Sequence, residues 1–264
     1  MNHTDNNAQL SLLLTPLAIL IGSVVIAGGI VWSNTHGVPA GSSGNYQAVG
    51  QQPSQAQPQG QPQGQAQAQQ QQHPTQAVDS SKVSVKGNPY IGQLSAPIVI
   101  DYWFDYQCPY CKQNEETVMS SLIKDYVDTG KIRIVFKDYQ FLGPDSQSLG
   151  IMARAVWATA PDKFYDWHKA IFDNQGREGS GWANAAFISS TTSQILGPQL
   201  AAQAIALSQS NVAAYQKELD ADKAEGVTFS ISGTPAMIIG KTLVDGAQPY
   251  AAFTSAIAAA MVNK

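Results

Sequence analysis

Cys108 and Cys111 are the only two cysteines in the 264-residue chain, and two residues separate them. Two thiols at this spacing can close into a disulfide and open again, which is the chemistry of thiol–disulfide exchange. A bridge between them would close a loop too small to stabilise the chain much. The pair therefore predicts a redox-active disulfide, Cys108–Cys111, and not a structural one.

The residues around the pair place it at a junction between a strand and a helix. The apolar run Ile98–Phe104 precedes Cys108, and Pro109 suits the first turn of a helix. At the amino end of a helix, free backbone N–H groups and the helix dipole favour a thiolate. We expect Cys108 to be exposed and to react first, and Cys111, one turn further on, to be shielded and to resolve the mixed disulfide.

The same spacing also occurs in zinc sites, which need about four ligands. The chain has no third cysteine, and His168 is its only histidine beyond residue 81. The sequence therefore predicts neither a metal site nor another cofactor.

Charged residues divide the chain into two parts. No Lys, Arg, Asp or Glu occurs between Asp5 and Asp79, and every Lys and Arg lies from Lys82 onward. We predict one folded domain over residues 82–264. The net charge of -4 and the absence of a basic run argue against a nucleic-acid partner.

The uncharged part begins with a short tail, residues 1–9, followed by an apolar run over residues 10–32. As a helix this run would be about 35 Å long, enough to cross a bilayer, and it predicts a transmembrane signal-anchor. The alternative is a signal peptide cleaved near residues 38–40. The length of the run and the lack of Lys or Arg before it favour the anchor. The Gln-, Pro- and Gly-rich residues 33–81 predict a disordered linker.

The rest of the sequence predicts an α/β fold with an inserted helical subdomain over about 146–226. A strand, helix and strand in succession indicate a parallel pair with a right-handed crossover. Residues 88–92 have the composition of a turn. We predict strands at 83–85, 97–104, 131–137, 235–239 and 241–244, and helices at 109–129, 146–159, 162–174, 184–196, 198–208, 211–225 and 249–261.

This order, with Cys-Pro-Tyr-Cys before a helix and Gly233-Thr234-Pro235 before a late strand, resembles the thioredoxin superfamily. The long helical insert, together with the phrases DYQCPYC at 105–111 and VDGAQPY at 244–250, looks most like the DsbA-like thiol:disulfide oxidoreductases. The resemblance covers about 83–262. It implies a thioredoxin-like fold, a cis peptide bond at Pro235, and Thr234 and Pro235 as residues that present backbone groups to a substrate peptide.

Two positions depart from the family pattern. Pro109 and Tyr110, which we expect to tune the Cys108 thiolate, replace the Pro-His of strongly oxidising members. The direction of electron flow therefore stays open. The family often has a buried acid six residues before the first cysteine, where this chain has Tyr102. Asp101 and Asp105 fall on the opposite strand face, and Asp101 could act as the buried proton acceptor only in a bulged strand.

Other polar and aromatic residues have simpler readings. Glu115 and Glu116 are predicted to form a solvated face of the active-site helix. Aromatic residues at helical spacing are predicted to belong to the core; these are Trp157, Phe164, Trp167 and Phe172.

The resemblance and the predicted anchor together imply a membrane-tethered, extracytoplasmic thiol:disulfide oxidoreductase. It would act on reduced or misoxidised exported proteins through a Cys108 mixed disulfide, and a redox partner would reset it. The alternatives are a disulfide reductase or isomerase, and a non-catalytic module that binds peptides or metal as a chaperone. Signal cleavage would instead make the protein secreted or periplasmic.

Overall fold

The fold is organised around a mixed five-stranded sheet. The computed structural model describes residues 78–262. The strands lie in the order β1-β3-β2-β4-β5. Only the central β2 and β3 are parallel, and the other neighbouring pairs are antiparallel. The strands are β1 (Tyr90–Ile91), β2 (Ile98–Phe104), β3 (Ile132–Asp138), β4 (Ala236–Ile239) and β5 (Thr242–Asp245).

The helices form the β2-to-β3 crossover, the insertion and the carboxyl-terminal element. The crossover runs from α1 (Pro109–Asn114) through a π-helical turn (Glu115–Met119), α2 (Ser120–Leu122) and a second π-helical turn (Ile123–Val127). The insertion consists of α3 (Pro144–Thr159), α4 (Phe164–Asp173), α5 (Ala185–Leu196), α6 (Pro198–Ser210) and α7 (Val212–Thr228), and the last helix is α8 (Tyr250–Val262). The predicted parallel crossover and the predicted insertion are both confirmed.

Strand β2 lies at the centre because all its residues except Asp101 are apolar, on both faces. All its residues except Val99 are buried. Tyr102 and Phe104 belong to the main core, together with both cysteines, whereas Trp103 belongs to a smaller cluster. Successive strand residues point to opposite faces, so the two clusters cover opposite sides of the sheet. The cysteines and Tyr102 are therefore on the same side.

The aromatic residues of the insertion complete the main core. Phe164, Trp167 and Phe172 are buried, and Trp157 is partly buried against them. The prediction that these four residues are structural is confirmed.

A buried ion network connects the sheet to two helices of the insertion. The Lys137 ammonium lies 2.6 Å from Asp222 and 2.9 Å from Glu225, and Arg154 lies 2.6 Å from Asp138 and 2.5 Å from Asp222. Each buried charge is thus paired with an opposite one, as burial requires. The network joins α3 and α7 to β3.

The predicted strand at 83–85 is wrong, and the first strand is instead Tyr90–Ile91, within the predicted turn at 88–92. Side chains take up the backbone groups of the earlier segment. The Ser84 N–H donates to Glu225 at 2.7 Å, and the Ser84 carbonyl accepts from Lys137 at 2.8 Å. A segment satisfied in this way has no need of a neighbouring strand.

The predicted tail at 1–9, the transmembrane helix at 10–32 and most of the linker at 33–81 lie outside the described residues. Within residues 78–262, no helix is both long and apolar enough to cross a membrane. Residues 78–81, at the end of the predicted linker, belong to the described fold. The N–H groups of Val78 and Ser80 donate to the carbonyls of Lys241 and Gly240, at 3.4 and 3.2 Å.

Candidate active site

Cys108 occupies the position before the first residue of α1, as predicted. Its N–H donates to the Asp105 carbonyl at 3.1 Å, and its own carbonyl accepts from the N–H groups of Cys111 and Lys112 at 3.1 and 3.2 Å. Pro109 is the first residue of the helix. An N–H at this position has no partner within the helix, so the missing N–H of proline costs no hydrogen bond. The turn therefore places the N–H groups of Tyr110 and Cys111 near the Cys108 sulfur.

Cys108 is more covered than the sequence predicts. It retains 5% of its surface, and Cys111 retains 0%. Both are free thiols, and the Cys108 thiol donates to the Thr234 carbonyl at 3.3 Å. The loop carrying Thr234 lies against the sulfur and causes this burial. The order of accessibility is as predicted, but an openly exposed Cys108 is wrong.

The two thiols have opposite pKa shifts. The pKa of Cys108 is lowered to about 6, and a hydrogen bond from Cys111 is the largest cause. A hydrogen bond from Thr234 and the N–H groups of Cys111 and Tyr110 lower the pKa further, whereas burial opposes them. Burial, followed by the nearby Cys108, raises the pKa of Cys111 well above its usual range. At neutral pH the reduced site therefore holds a thiolate at Cys108 and a thiol at Cys111.

This difference predicts the pH profile of alkylation. Only a thiolate reacts with iodoacetamide, so labelling of the reduced full-length protein is expected to be half-maximal near pH 6 and confined to Cys108. Mass spectrometry of digests after short exposures from pH 4 to 9 measures it. Cys108→Ser is the control and should remain almost unlabelled at pH 7. A midpoint near the ordinary thiol pKa of about 8.5 would contradict the profile.

The structure brings the Thr234–Pro235 pair to the cysteines. This peptide bond is cis, as the family resemblance implies. The Pro235 carbonyl accepts from the Gly246 N–H at 2.8 Å, which attaches the loop to the end of β5. The Thr234 carbonyl lies at the Cys108 sulfur. The substrate-binding role of Thr234 and Pro235 stays a prediction.

Tyr110, like its neighbour Pro109, faces solvent. Tyr110 is 61% exposed, although its side chain is large and aromatic. Its backbone N–H contributes to the Cys108 thiolate. The ring is therefore free to contact a bound protein. The tuning roles of Pro109 and Tyr110 stay predictions.

Asp105 fixes the loop between β2 and α1. It is fully buried. Its carboxylate accepts from the Gln107 N–H at 2.8 Å, the Phe141 N–H at 2.8 Å, the Leu142 N–H at 3.1 Å and the Ser146 hydroxyl at 2.5 Å. This carboxylate holds the active-site loop to the segment between β3 and α3, and its accepting capacity is used by these bonds.

Two glutamines attach the helical insertion to the same loop. The Gln175 amide donates to the carbonyls of Tyr106 and Cys108 at 2.8 and 3.1 Å, and the Gly179 N–H donates to the Gln107 side chain at 2.8 Å. Sequence reasoning assigned no role to either glutamine, since Gln175 lies outside the motifs and the phrase at 105–111 does not show what Gln107 binds. Each glutamine lies about seventy residues along the chain from the group that it binds.

Asp101 lies on the side of the sheet away from the cysteines. Its neighbours in the sheet are Val135 and Ile238, in a continuous register without a bulge. Burial is the main cause that raises its pKa to about 7, and Lys137 opposes this. The predicted strand face is confirmed, and the bulge that would make Asp101 a proton acceptor for the cysteines is absent.

The prediction that Glu115 is solvated is wrong, whereas its neighbour Glu116 is exposed as predicted. Glu115 is 4% exposed and is bound by His168 and Tyr165, both from α4. A buried carboxyl group requires such partners. The helical pattern alone could not locate them, because they lie 50 and 53 residues further along the chain.

His168 is fully buried between Glu115 and Tyr106. Across residues 78–262, no group of three or more His, Cys, Asp or Glu side chains is arranged to hold a metal ion. The candidate site thus consists of the two thiols, the Thr234–Pro235 loop and the buried groups behind them.

Comparison with known proteins agrees with this arrangement. A family model described as Thioredoxin matches residues 84–259, which is two thirds of the chain. Disulfide bond formation protein D of Bacillus subtilis (strain 168) is 29% identical over 109 residues, covering 41% of this chain and 49% of that protein. A protein of Bacillus cereus described as probable disulfide bond formation protein D is 28% identical over 92 residues, covering 35% of this chain and 43% of that protein. The match spans about half the length of these curated relatives or less.

Solved structures show the same fold. BdbD from Bacillus subtilis in its oxidised form superposes with a TM-score of 0.63 at 22% identity, over 70% of this chain and 98% of that chain. The thiol-disulfide exchange protein alpha-DsbA2 from Wolbachia pipientis gives 0.56 at 22% identity, over 65% of this chain and 86% of that chain. The chain therefore belongs to the thioredoxin superfamily, and its architecture is DsbA-like.

Proposed function

We propose that this protein is a thiol:disulfide oxidoreductase that oxidises the cysteines of exported proteins. The observation that carries the proposal is the unequal thiol pair. Cys108 is stabilised as a thiolate at a helix start, and Cys111 is a fully buried thiol behind it. Relatives named for disulfide bond formation support the assignment.

The reaction follows from the two positions. A substrate thiolate attacks the Cys108 sulfur of the oxidised pair, the Cys108–Cys111 bond breaks, and Cys111 leaves as a thiolate that takes up a proton. A second substrate thiolate then attacks the substrate sulfur of the mixed disulfide. The substrate disulfide forms, and Cys108 leaves as a thiolate. Two electrons have passed from the substrate to the pair.

The lowered pKa of Cys108 supports this direction. A thiolate of low pKa is a good leaving group, and its stability favours the reduced form of the enzyme, which makes the disulfide more oxidising. A redox partner that accepts two electrons must then restore the disulfide. A reductase or isomerase would need the dithiol form to dominate.

Substrate binding is assigned to the loop beside the sulfur. The Thr234 carbonyl and the Pro235 segment adjoin Cys108, and an extended peptide can pair with backbone groups of this kind. The exposed ring of Tyr110 offers an apolar contact next to them. These groups would place a substrate cysteine at Cys108 without selecting one sequence.

The proposed location is the cell membrane, with a single anchor at residues 10–32 and the domain on the extracytoplasmic side. The uncharged apolar run supports the anchor, and a disulfide donor requires an oxidising compartment. Signal cleavage would leave a secreted or periplasmic form of the same enzyme.

Two measurements on the full-length protein test the function. The oxidised protein should convert a reduced, unfolded protein with two cysteines to its disulfide form in stoichiometric amounts. Equilibration with glutathione should give a potential above about -230 mV. A value near -270 mV would make the protein a reductase instead. Binding of unfolded protein without any oxidation, unchanged when both cysteines are replaced, would make it a non-catalytic module.

A further inference from the structure

Cys111 is fully buried, yet its sulfur must gain a proton when the disulfide opens and lose it when the disulfide closes. The strand position that often holds an acid in this family is occupied by Tyr102. Of the nearby acids, Asp101 lies on the other side of the sheet, and Asp105 is occupied by the hydrogen bonds of the loop. Glu115 is the remaining buried acid of the active-site helix.

Glu115 lies one helical turn beyond Cys111. Its N–H donates to the Cys111 carbonyl, so the two side chains leave the same face of the helix. Both residues are buried, at 4% and 0% exposure. The Tyr102 hydroxyl interacts electrostatically with both Cys111 and Glu115. Burial raises the pKa of its hydroxyl most, followed by the charges of Cys111 and Glu115. The carboxyl group and the resolving thiol thus share one poorly solvated region.

Partners from the insertion hold the Glu115 carboxyl group in place. One oxygen lies 3.2 Å from His168 Nε2, and the other accepts from the Tyr165 hydroxyl at 3.2 Å. The opposite nitrogen of His168 lies 3.0 Å from the hydroxyl of Tyr106, which is two residues before Cys108. The network therefore runs from the helix of Cys111, through α4, to the loop that precedes Cys108.

We propose that Glu115, held by His168 and Tyr165, is a positioning residue that keeps Cys111 protonated and thereby sets the lifetime of the Cys108 mixed disulfide. This inference rests on the proposed function. A negative charge near a buried thiol disfavours a second negative charge on its sulfur. While Cys111 carries its proton it does not attack Cys108. The mixed disulfide then persists until the second substrate thiolate attacks it. The substrate therefore leaves as a disulfide and not in its reduced form.

Other titratable and charged groups face this pair. Those that face Glu115 are His168 and Tyr165 from α4 and Tyr102 from β2, and Tyr106 follows through His168. The Asp138–Arg154 pair lies beyond Tyr106 and acts on its hydroxyl. On the helix itself the groups are Cys108, Cys111, Lys112 and Glu116.

The resolving step can be observed separately with 5,5′-dithiobis(2-nitrobenzoate). The reduced Cys108 thiolate attacks one sulfur of the reagent, forms a mixed disulfide and releases the first coloured thiolate. The Cys111 thiolate then attacks the Cys108 sulfur, the Cys108–Cys111 bond forms, and the second coloured thiolate leaves with the electron pair of the broken bond. The Cys111 proton goes to solvent. Stopped-flow absorbance resolves the two releases as separate phases.

Glu115→Gln is expected to accelerate the second phase at pH 7 about tenfold and to move its pH midpoint down by about one unit. The first phase should change by less than about twofold. Glu116→Gln is the matched control, because this neighbouring carboxylate is exposed and lies 3.9 Å from the Lys112 ammonium. It should leave both phases unchanged. A second phase that is unchanged or slower in Glu115→Gln would overturn the proposal.

Tyr165→Phe provides a variant that keeps the charge. It removes one hydrogen bond to the Glu115 carboxylate, so the second phase should slow several-fold with its pH midpoint raised. An unchanged second phase in this variant counts against the proposal even if Glu115→Gln does not fold. Failure of the proposed function has a different signature: no oxidation of substrate protein, while both coloured phases remain.

Discussion

Replacing Cys111 with serine is expected to leave the protein covalently bound to its substrates, whereas replacing Cys108 with serine abolishes exchange. Cys108 adjoins the loop assigned to substrate, and Cys111 is fully buried. A serine hydroxyl is not ionised near neutral pH and cannot replace a thiolate, so Cys108→Ser should lower the exchange rate roughly a thousandfold or more. In Cys111→Ser, the Cys108 thiolate attacks a disulfide of an unfolded protein, one substrate sulfur leaves as a thiolate, and the mixed disulfide persists because no Cys111 thiolate can attack it.

Non-reducing electrophoresis of the reduced full-length variants with an unfolded protein that contains one disulfide measures both effects. Cys111→Ser should give a band of the combined mass that disappears with dithiothreitol. The variant that lacks both cysteines should give none. Adducts of equal amount in Cys108→Ser and Cys111→Ser would show that the two sulfurs are equally accessible, which contradicts the unequal roles.

Replacing Asp101 with asparagine is expected to stabilise the protein above neutral pH. Both carboxyl oxygens of Asp101 are buried without a hydrogen-bond partner, and burial raises its pKa from 3.8 to about 7. The folded state therefore binds the proton more tightly than the unfolded state. Stability is retained at low pH and is lost as the pH rises through about 4 to 7. Since one pKa unit corresponds to about 1.4 kcal/mol, the loss is roughly 4 kcal/mol.

Urea unfolding at pH 5 and pH 8 measures this effect. The free energy of unfolding of Asp101→Asn should exceed that of the unmodified protein by up to about 4 kcal/mol at pH 8, with a much smaller difference at pH 5. The exposed Asp128→Asn is the control and should match the unmodified protein at both values. A stability difference for Asp101→Asn that does not depend on pH would exclude the buried, ionising carboxyl group as its cause.

The parts of the fold that follow from local pattern were predictable. The β-branched and aromatic residues of Ile98–Phe104 predict a buried strand, and Pro109 predicts the helix start that places Cys108 at its amino end. The cis bond at Pro235 required the family resemblance, because a Thr-Pro pair by itself indicates no more than a turn.

The parts that depend on distant partners were not predictable. The burial of Glu115 depends on His168 and Tyr165, and the position of the Cys108 loop depends on Gln175. No periodicity in the active-site helix contains these contacts. The same limit explains the wrong strand at 83–85, whose backbone groups bind side chains from β3 and α7.

Val78 and Ser80 bind the turn between β4 and β5, and this contact fixes where the earlier part of the chain joins the domain. That turn follows Ile239, which pairs with Ile100 near the start of β2, whereas Cys108 lies past the far end of the strand. At about 3.3 Å per residue, β2 alone separates the two ends by roughly 20 Å. Residue 78, where the earlier part of the chain joins the domain, therefore lies at the end of the sheet opposite to the Cys108 sulfur. A protein that binds at Cys108 would therefore not contact residue 78, where the earlier part of the chain joins the domain.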